Sequence, residues 1–216
     1  MSLQSRAVTM TKQMIQIEST DPGTYENAMA DWITTQLAPY PNVRLSRQEV
    51  LPGRPNLIAE LTGDPSLPAL VMICHMDTVV VGDGWTLPPF DAIEKDGKIY
   101  GRGACDMKSG LACCLSAFQY AAETLQTSGK TPKQTLKLIC SMDEEDFMRG
   151  SEACIQAGWV TDHDWVIDAE PTNGQIQMAH KGRTWYEIDV QGHTAHASTP
   201  WKGADAIAAM AEAVSH

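Results

Sequence analysis

The stretch 70–79, LVMICHMDTV, decides how the rest of the chain is read. Leu70, Val71, Met72, Ile73 and Cys74 form an unbroken apolar run of strand length, as expected for a strand covered on both faces. His75 and Asp77 follow at once, with one residue between them. Two polar groups at the end of a buried strand are either an ordinary strand exit or groups held out for chemistry. The H-x-D pattern by itself does not decide between the two.

Outward from this run, strand and helix patterns alternate. Residues 4–18 read as a helix, and a second begins after 24, with Thr24 as its expected cap and Tyr25, Ala28, Trp32, Ile33 and Leu37 on one face. Strands are expected near 43–50 and 56–61. Beyond LVMICHMDTV, the glycine- and proline-rich stretch 80–106 reads as loop with at most short strands. A helix rich in Ala and Leu over 107–125 precedes a second apolar strand, QTLKLICSM (134–142). A short helix over 150–158 then leads to the strand DWVID (164–168). The alternation predicts an α/β domain around a mixed, largely buried sheet flanked by helices. The texture changes near 180. RTWYEIDVQG (183–192) alternates as a half-exposed strand, and GADAIAAMAEAVSH (203–216) reads as a helix. The expected division is therefore 1–179 and 180–216, the second part being the incomplete beginning of another domain, since one strand and one helix cannot bury a core.

Composition narrows the function. The chain has 216 residues, 43% of them hydrophobic and 20% charged, with a formal net charge of -11. These are globular proportions. The negative charge argues against nucleic acid and anionic membranes as partners, and no apolar run reaches the about 18 residues of a membrane span. The six cysteines form no C-x-x-C pair and sit mostly in apolar runs, so free thiols in a reducing, cytoplasmic setting are expected rather than a disulfide framework.

The polar residues that follow the predicted strands gather into a pattern. His75 and Asp77 follow the first apolar strand, Glu144 and Glu145 the second, and Glu170 the strand DWVID, while Asp106 opens the helix near 107. Sites in α/β sheets form outside the carboxyl ends of strands, so one histidine and several carboxylates are expected at a common edge. Such a nitrogen and oxygen set suits zinc, or manganese and cobalt. Crowded carboxylates also need a counter-charge, which a pair of divalent cations would supply. Each piece has a plainer reading too. Asp106 can cap a helix, DEED (143–146) can be a solvated acidic turn, and Glu170 before Pro171 can be a turn residue. GRGACDMKS (101–109) is not a phosphate loop, because Met107 stands where that motif needs glycine before its lysine.

HMDTV (75–79), W...PF (85–90), DGKIYGRGACDMKSG (96–110), DEE (143–145), AEPT (169–172) and GHTAHASTP..GADAI (192–207) occur in an order and spacing similar to those of the di-metal amidohydrolases. That family includes acetylornithine deacetylase, succinyl-diaminopimelate desuccinylase, carboxypeptidase G and aminoacylase. The resemblance covers nearly the whole chain and implies a zinc-exopeptidase-like catalytic domain followed by the start of a ferredoxin-like α+β lid. It implies two divalent ions, most readily zinc, with His75 and Glu170 on the first, Glu145 on the second and Asp106 bridging them. It makes Asp77 the carboxylate that orients the His75 ring, with a cis peptide just after Asp106. Glu144 resembles the general base, and His196 a lid histidine that stabilises the oxyanion; His163, His180, His193 and His216 receive no role. The implied activity is hydrolysis of an amide bond in N-acyl amino acids or small peptides. Relatives use the lid for homodimers and, after it, supply a second-metal histidine. The sequence ends at His216 inside the expected lid helix, so it is expected to be the N-terminal part. The alternative is a catalytically incomplete metal-binding or interaction module. One departure is EEDFMRGSEA (144–153), where relatives carry glycines soon after the paired glutamates.

Overall fold

The computed structural model describes residues 2–215. By internal contacts the chain divides into two units, Met1–Gln175 and Ile176–His216.

In chain order the first unit contains α1 (Leu3–Ile15), β1 (Thr20–Asp21), α2 (Asn27–Leu37), β2 (Arg44–Leu51), β3 (Arg54–Leu61), β4 (Leu70–His75) and β5 (Thr78–Val79). It continues with β6 (Ile93–Lys95), β7 (Lys98–Tyr100), α3 (Lys108–Ser128), β8 (Leu136–Ser141), α4 (Arg149–Gln156) and β9 (Trp165–Asp168). Five strands form the main sheet in the order β2-β3-β8-β4-β9. β2 and β3 run antiparallel, β3 is antiparallel to β8, and β8, β4 and β9 are mutually parallel. The mixed sheet expected from the sequence is therefore present. Pro55 is tolerated in β3 because β3 pairs with β8 only from Leu57 onward, so no central ladder bond is lost.

Alternation along the central strands explains why the apolar runs are continuous. Leu57, Ala59, Met72, Cys74, Leu138 and Cys140 join the larger core with Met14, Ile33, Leu111, Leu115 and Phe118 from the three long helices. The intervening Ile58, Val71 and Ile139 pack with Ala69 and Cys154 in a smaller cluster, with Ile73 partly buried beside it. Both faces are covered, as parallel strands require. The outer strand β9 is the exception, with Trp165, Val166 and Ile167 all exposed.

Several sequence expectations shift. The first helix ends at Ile15, and the buried Lys108 donates its Nζ to the carbonyls of Met14 (3.1 Å) in its last turn and Ile17 (2.7 Å) just beyond it. Thr24 does not cap α2. The helix starts at Asn27 after Glu26, whose carboxylate is engaged by Arg54 rather than by the helix amides. Four of the six free cysteines are buried, whereas Cys105 and Cys113 are exposed.

In the second unit, residues 183–192 form no strand. A strand needs a hydrogen-bonded neighbour, and among the described residues this segment has none in register; the single bridge lies beyond it, between His193 and Ala204. The helix α5 spans Ala206–Ser215, preceded by a short 3-10 turn at Pro200–Lys202. His216 lies outside the described residues.

Phe118 is completely buried in the larger core, while Tyr120 two residues on is exposed. Phe118→Ala is expected to destabilise the fold by about 3–5 kcal/mol. Tyr120→Ala is expected to change it by no more than about 0.5 kcal/mol. Denaturant unfolding of both variants checks the assignment of this helix face.

Candidate metal centre

The three parallel strands end nearly level, with His75 opposite Ser141 and Ile73 opposite Asp168. The segments that leave them are thereby delivered to one edge. His75 is the last residue of β4, Glu144 and Glu145 lie three and four residues past β8, and Glu170 lies two past β9. Asp106 arrives from the other side, ahead of α3. Gly110 in the first turn of that helix permits the approach, because a Cβ there would stand 2.2 Å from the Ala169 carbonyl oxygen. The Asp106–Met107 peptide is cis.

His75 is 2% exposed and makes opposite kinds of contact through its two ring nitrogens. Nδ1 lies 2.9 Å from the Asp77 main-chain carbonyl, which can only accept, so Nδ1 donates. Nε2 faces carboxylate oxygens: Asp106 Oδ1 at 3.1 Å, Glu170 Oε1 at 3.5 Å and Glu144 Oε2 at 3.8 Å. In the neutral ring Nε2 presents a lone pair, and every oxygen around it does the same. A positive charge must sit among them, as a proton or as a cation.

The electrostatics carry the same imprint. Burial opposes charge on the imidazole, yet the Asp106 and Asp77 carboxylates hold its pKa up to about 11. Burial pushes Glu170 up to about 8 against the pull of His75, with Asp106, Asp168 and Glu144 adding repulsion. Burial and the nearby Asp106 also raise Glu145. Asp106 is lowered, chiefly by its bond to His75. His75, Asp106 and Glu145 offer ligand atoms within 4.8 Å of one another, and so do His75, Glu144 and Glu170. One imidazole and four carboxylates in two overlapping triads fit hard or borderline divalent ions.

Asp77 is fully buried, and its carboxylate faces both the His75 ring and the acidic turn. It stands 3.6 Å from His75 Nδ1. Its Oδ1 accepts from the Glu144 amide at 3.1 Å and its Oδ2 from the Glu145 amide at 3.0 Å. The Asp77 carbonyl makes the shorter contact with the ring, with the carboxylate beside it, and the same carboxylate grips the turn that carries both glutamates. Burial works against this charge, but His75 and the two amides hold the Asp77 pKa below its ordinary value.

The plainer readings of the other acids do not match the structure. Asp106 caps no helix, since Met107 occupies that position and no side chain bonds the first turn. The acidic stretch after β8 is not a solvated turn either, for Asp143 is buried and Glu144 and Glu145 are half-buried. His196 lies in the second unit, where its Nδ1 pairs with Ser198 Oγ at 2.8 Å. Sequence reasoning passed over Arg54 and Glu26, which pack against Asp143 of the acidic turn as buried charges.

The model of peptidase family M20/M25/M40 matches residues 71–216. The chain belongs to this family. A probable succinyl-diaminopimelate desuccinylase of Staphylococcus aureus (strain Mu50 / ATCC 700699) is 38% identical over 161 residues, covering 74% of this chain and 39% of that protein. The acetylornithine deacetylase of Proteus mirabilis (strain HI4320) is 34% identical over 196 residues, covering 88% of this chain and 46% of that protein. The chain thus spans less than half the length of these curated family members. Among solved structures, the aminopeptidase PepT from Bacillus cereus aligns with a TM-score of 0.59 at 22% identity, covering 98% of this chain and 56% of that one. The metallo-carboxypeptidase Sso-CP2 from Sulfolobus solfataricus aligns at 0.60 and 21%, covering 76% and 37%. At these identities the two structures show the fold alone, and that fold is the expected one.

Asp77→Asn keeps the size of the side chain but removes its charge and replaces one acceptor oxygen by an amide. It is expected to weaken divalent-metal binding about 10–100-fold. Calorimetric titration with zinc checks this, with circular dichroism to confirm that the variant is folded.

Proposed function

We propose that this chain carries the metal-binding catalytic part of a hydrolase that removes an acyl group from the nitrogen of an amino acid, or cleaves a small peptide. The observation that carries the reading is the facing of His75 Nε2 and the oxygens of Asp106, Glu144 and Glu170, a set of lone pairs that fits a divalent cation. Zinc suits the donor set, with cobalt and manganese as substitutes. His75, Asp106 and Glu170 would hold one ion, and Asp106 and Glu145 would hold a second. A divalent ion bound there polarises an acyl carbonyl and acidifies water.

Within this reading Glu144 is the general base. Of the three carboxylates that face His75 Nε2 its oxygen is the farthest, which favours a proton-carrying role over a ligand role. It takes a proton from the attacking water and returns it to the departing amine, so that the amine leaves neutral. Asp77 holds the Glu144 and Glu145 amides and so fixes where both side chains begin. His196 would donate a hydrogen bond to the oxyanion; this assignment rests on the GHTAHASTP motif alone.

The names of the curated relatives describe removal of succinyl and acetyl groups from diamino acids, which favours an N-acyl amino acid over a peptide. A homodimer through residues 180–216 and a cytoplasmic location complete the proposal. Among the described residues no helix is long and apolar enough to cross a membrane.

Glu144→Gln in the full-length protein tests the mechanism. Metal content is expected to stay at the wild-type level, while kcat on a panel of N-succinyl and N-acetyl amino acids falls by about 10²–10⁴. Turnover at the wild-type rate contradicts the assignment. A wild-type protein that binds metal and cleaves nothing in an acyl-amino-acid and dipeptide panel favours a binding module instead.

A further inference from the structure

Behind the turn that bears Glu144 and Glu145 lies a buried charge cluster to which the metal centre assigns no task. Arg54 opens β3, and its Nε donates to Glu26 Oε2 at 2.9 Å. One terminal nitrogen reaches both Glu26 Oε1 and Asp21 Oδ2 and lies 3.3 Å from Asp143 Oδ1. The Tyr25 ring centre lies 4.2 Å from the guanidinium carbon. Glu26 and Asp143 are completely buried. Asp21, Glu26 and Asp77, and likewise Asp21, Asp143 and Asp146, lie close enough to resemble cation sites, but the guanidinium already pairs with Asp21, Glu26 and Asp143.

Buried ion pairs are a poor way to gain stability, because desolvation offsets much of their attraction. What this one supplies is geometry. Asp143 sits at φ 61°, in the left-handed region, which costs a non-glycine residue on the order of 1 kcal/mol and needs outside support. The support comes from several sides. The Glu26 carboxylate accepts from the Asp143 amide at 3.1 Å. The Asp143 carbonyl accepts from the Met148 amide at 2.6 Å. Arg54 and Arg149 both pair with its carboxylate. Two residues along β3, Asn56 accepts from the Met142 amide at 3.0 Å and donates to the Gly150 carbonyl at 2.8 Å, pinning both ends of the loop. The left-handed turn at Asp143 is what points the next two amides at Asp77.

We propose that Arg54 and Glu26 are positioning residues, holding Asp143 in its left-handed turn so that Glu144 and Glu145 are delivered to the metal centre. The proposal rests on the reading of that centre as a divalent-metal site. It extends the active-site machinery to two residues that touch neither metal ligand nor substrate.

Cobalt(II) titration of the full-length, metal-stripped protein, followed by calorimetry and by the visible d–d bands, provides the test. Glu26→Gln is expected to lower cobalt affinity about 10–100-fold and to shift the bands. In a Glu145→Ala background the same substitution is expected to cause no further loss, because the two act through one element. A Glu26→Gln variant with lowered melting temperature but wild-type affinity and spectrum would show a merely structural role and overturn the proposal. So would losses that add in the double variant. If Glu26→Gln does not fold, Arg54→Lys decides by the same readouts, since it keeps the buried positive charge but loses the fork that reaches Glu26, Asp21 and Asp143 together; lowered affinity supports the proposal and unchanged cobalt binding overturns it. A wild-type protein that takes up no cobalt overturns the metal-site reading itself, and the positioning role with it.

Discussion

The carboxylate of Asp77 ties the end of one strand to the turn that follows another. It is fully buried and accepts from two consecutive amides, those of Glu144 and Glu145, while the carbonyl of the same residue fixes the His75 ring. A buried charge with these partners tolerates little displacement, since losing one leaves it uncompensated. The imidazole and the two glutamates therefore cannot move independently. The ring's other nitrogen is directed at Asp106, Glu144 and Glu170, and the negative charge gathered there is offset by a proton or by a cation.

The rest of the first unit serves this alignment. Parallel β8, β4 and β9 end together, so three segments leave the sheet at one edge. α3 brings the fourth, with Gly110 lying against the Ala169 carbonyl and Lys108 anchored to carbonyls near the end of α1. On the far side of the acidic turn, β3 supplies Arg54 and Asn56. The turn is thus held from the front by Asp77, two residues past β4, and from behind by β3, the two strands that flank β8 in one sheet. Sites that must hold charges at fixed spacing are better built on such elements than on free loops.

Much of this is legible in the sequence, and for identifiable reasons. LVMIC and TLKLICSM are continuous apolar runs because both faces of their strands are covered, and the residues that follow them fall at the sheet edge by topology. His75, Asp106, Glu144, Glu145 and Glu170 are all brought together there. What the sequence hides depends on direction or on a distant partner. Spacing cannot tell that the Asp77 carboxylate also takes the two glutamate amides, or that its carbonyl reaches the ring as well. Thr24 has the right chemistry for a cap, but Glu26 fills the position because Arg54, twenty-eight residues away, claims its carboxylate. The alternating segment 183–192 satisfies the strand pattern and still forms no strand, because the pattern describes side chains and a strand also needs a neighbour.

The proposed function depends on His75, Asp106, Glu145 and Glu170 acting as ligands of divalent metal. A crystal of the full-length protein grown with manganese or zinc, with diffraction recorded at the metal's absorption edge, tests it most directly. The account predicts anomalous density within bonding distance of His75 Nε2 and the carboxylate oxygens of Asp106 and Glu170, with Glu145 on the same or a neighbouring peak. Full metal occupancy elsewhere, with His75 Nε2 bonded only to carboxylates, would contradict it.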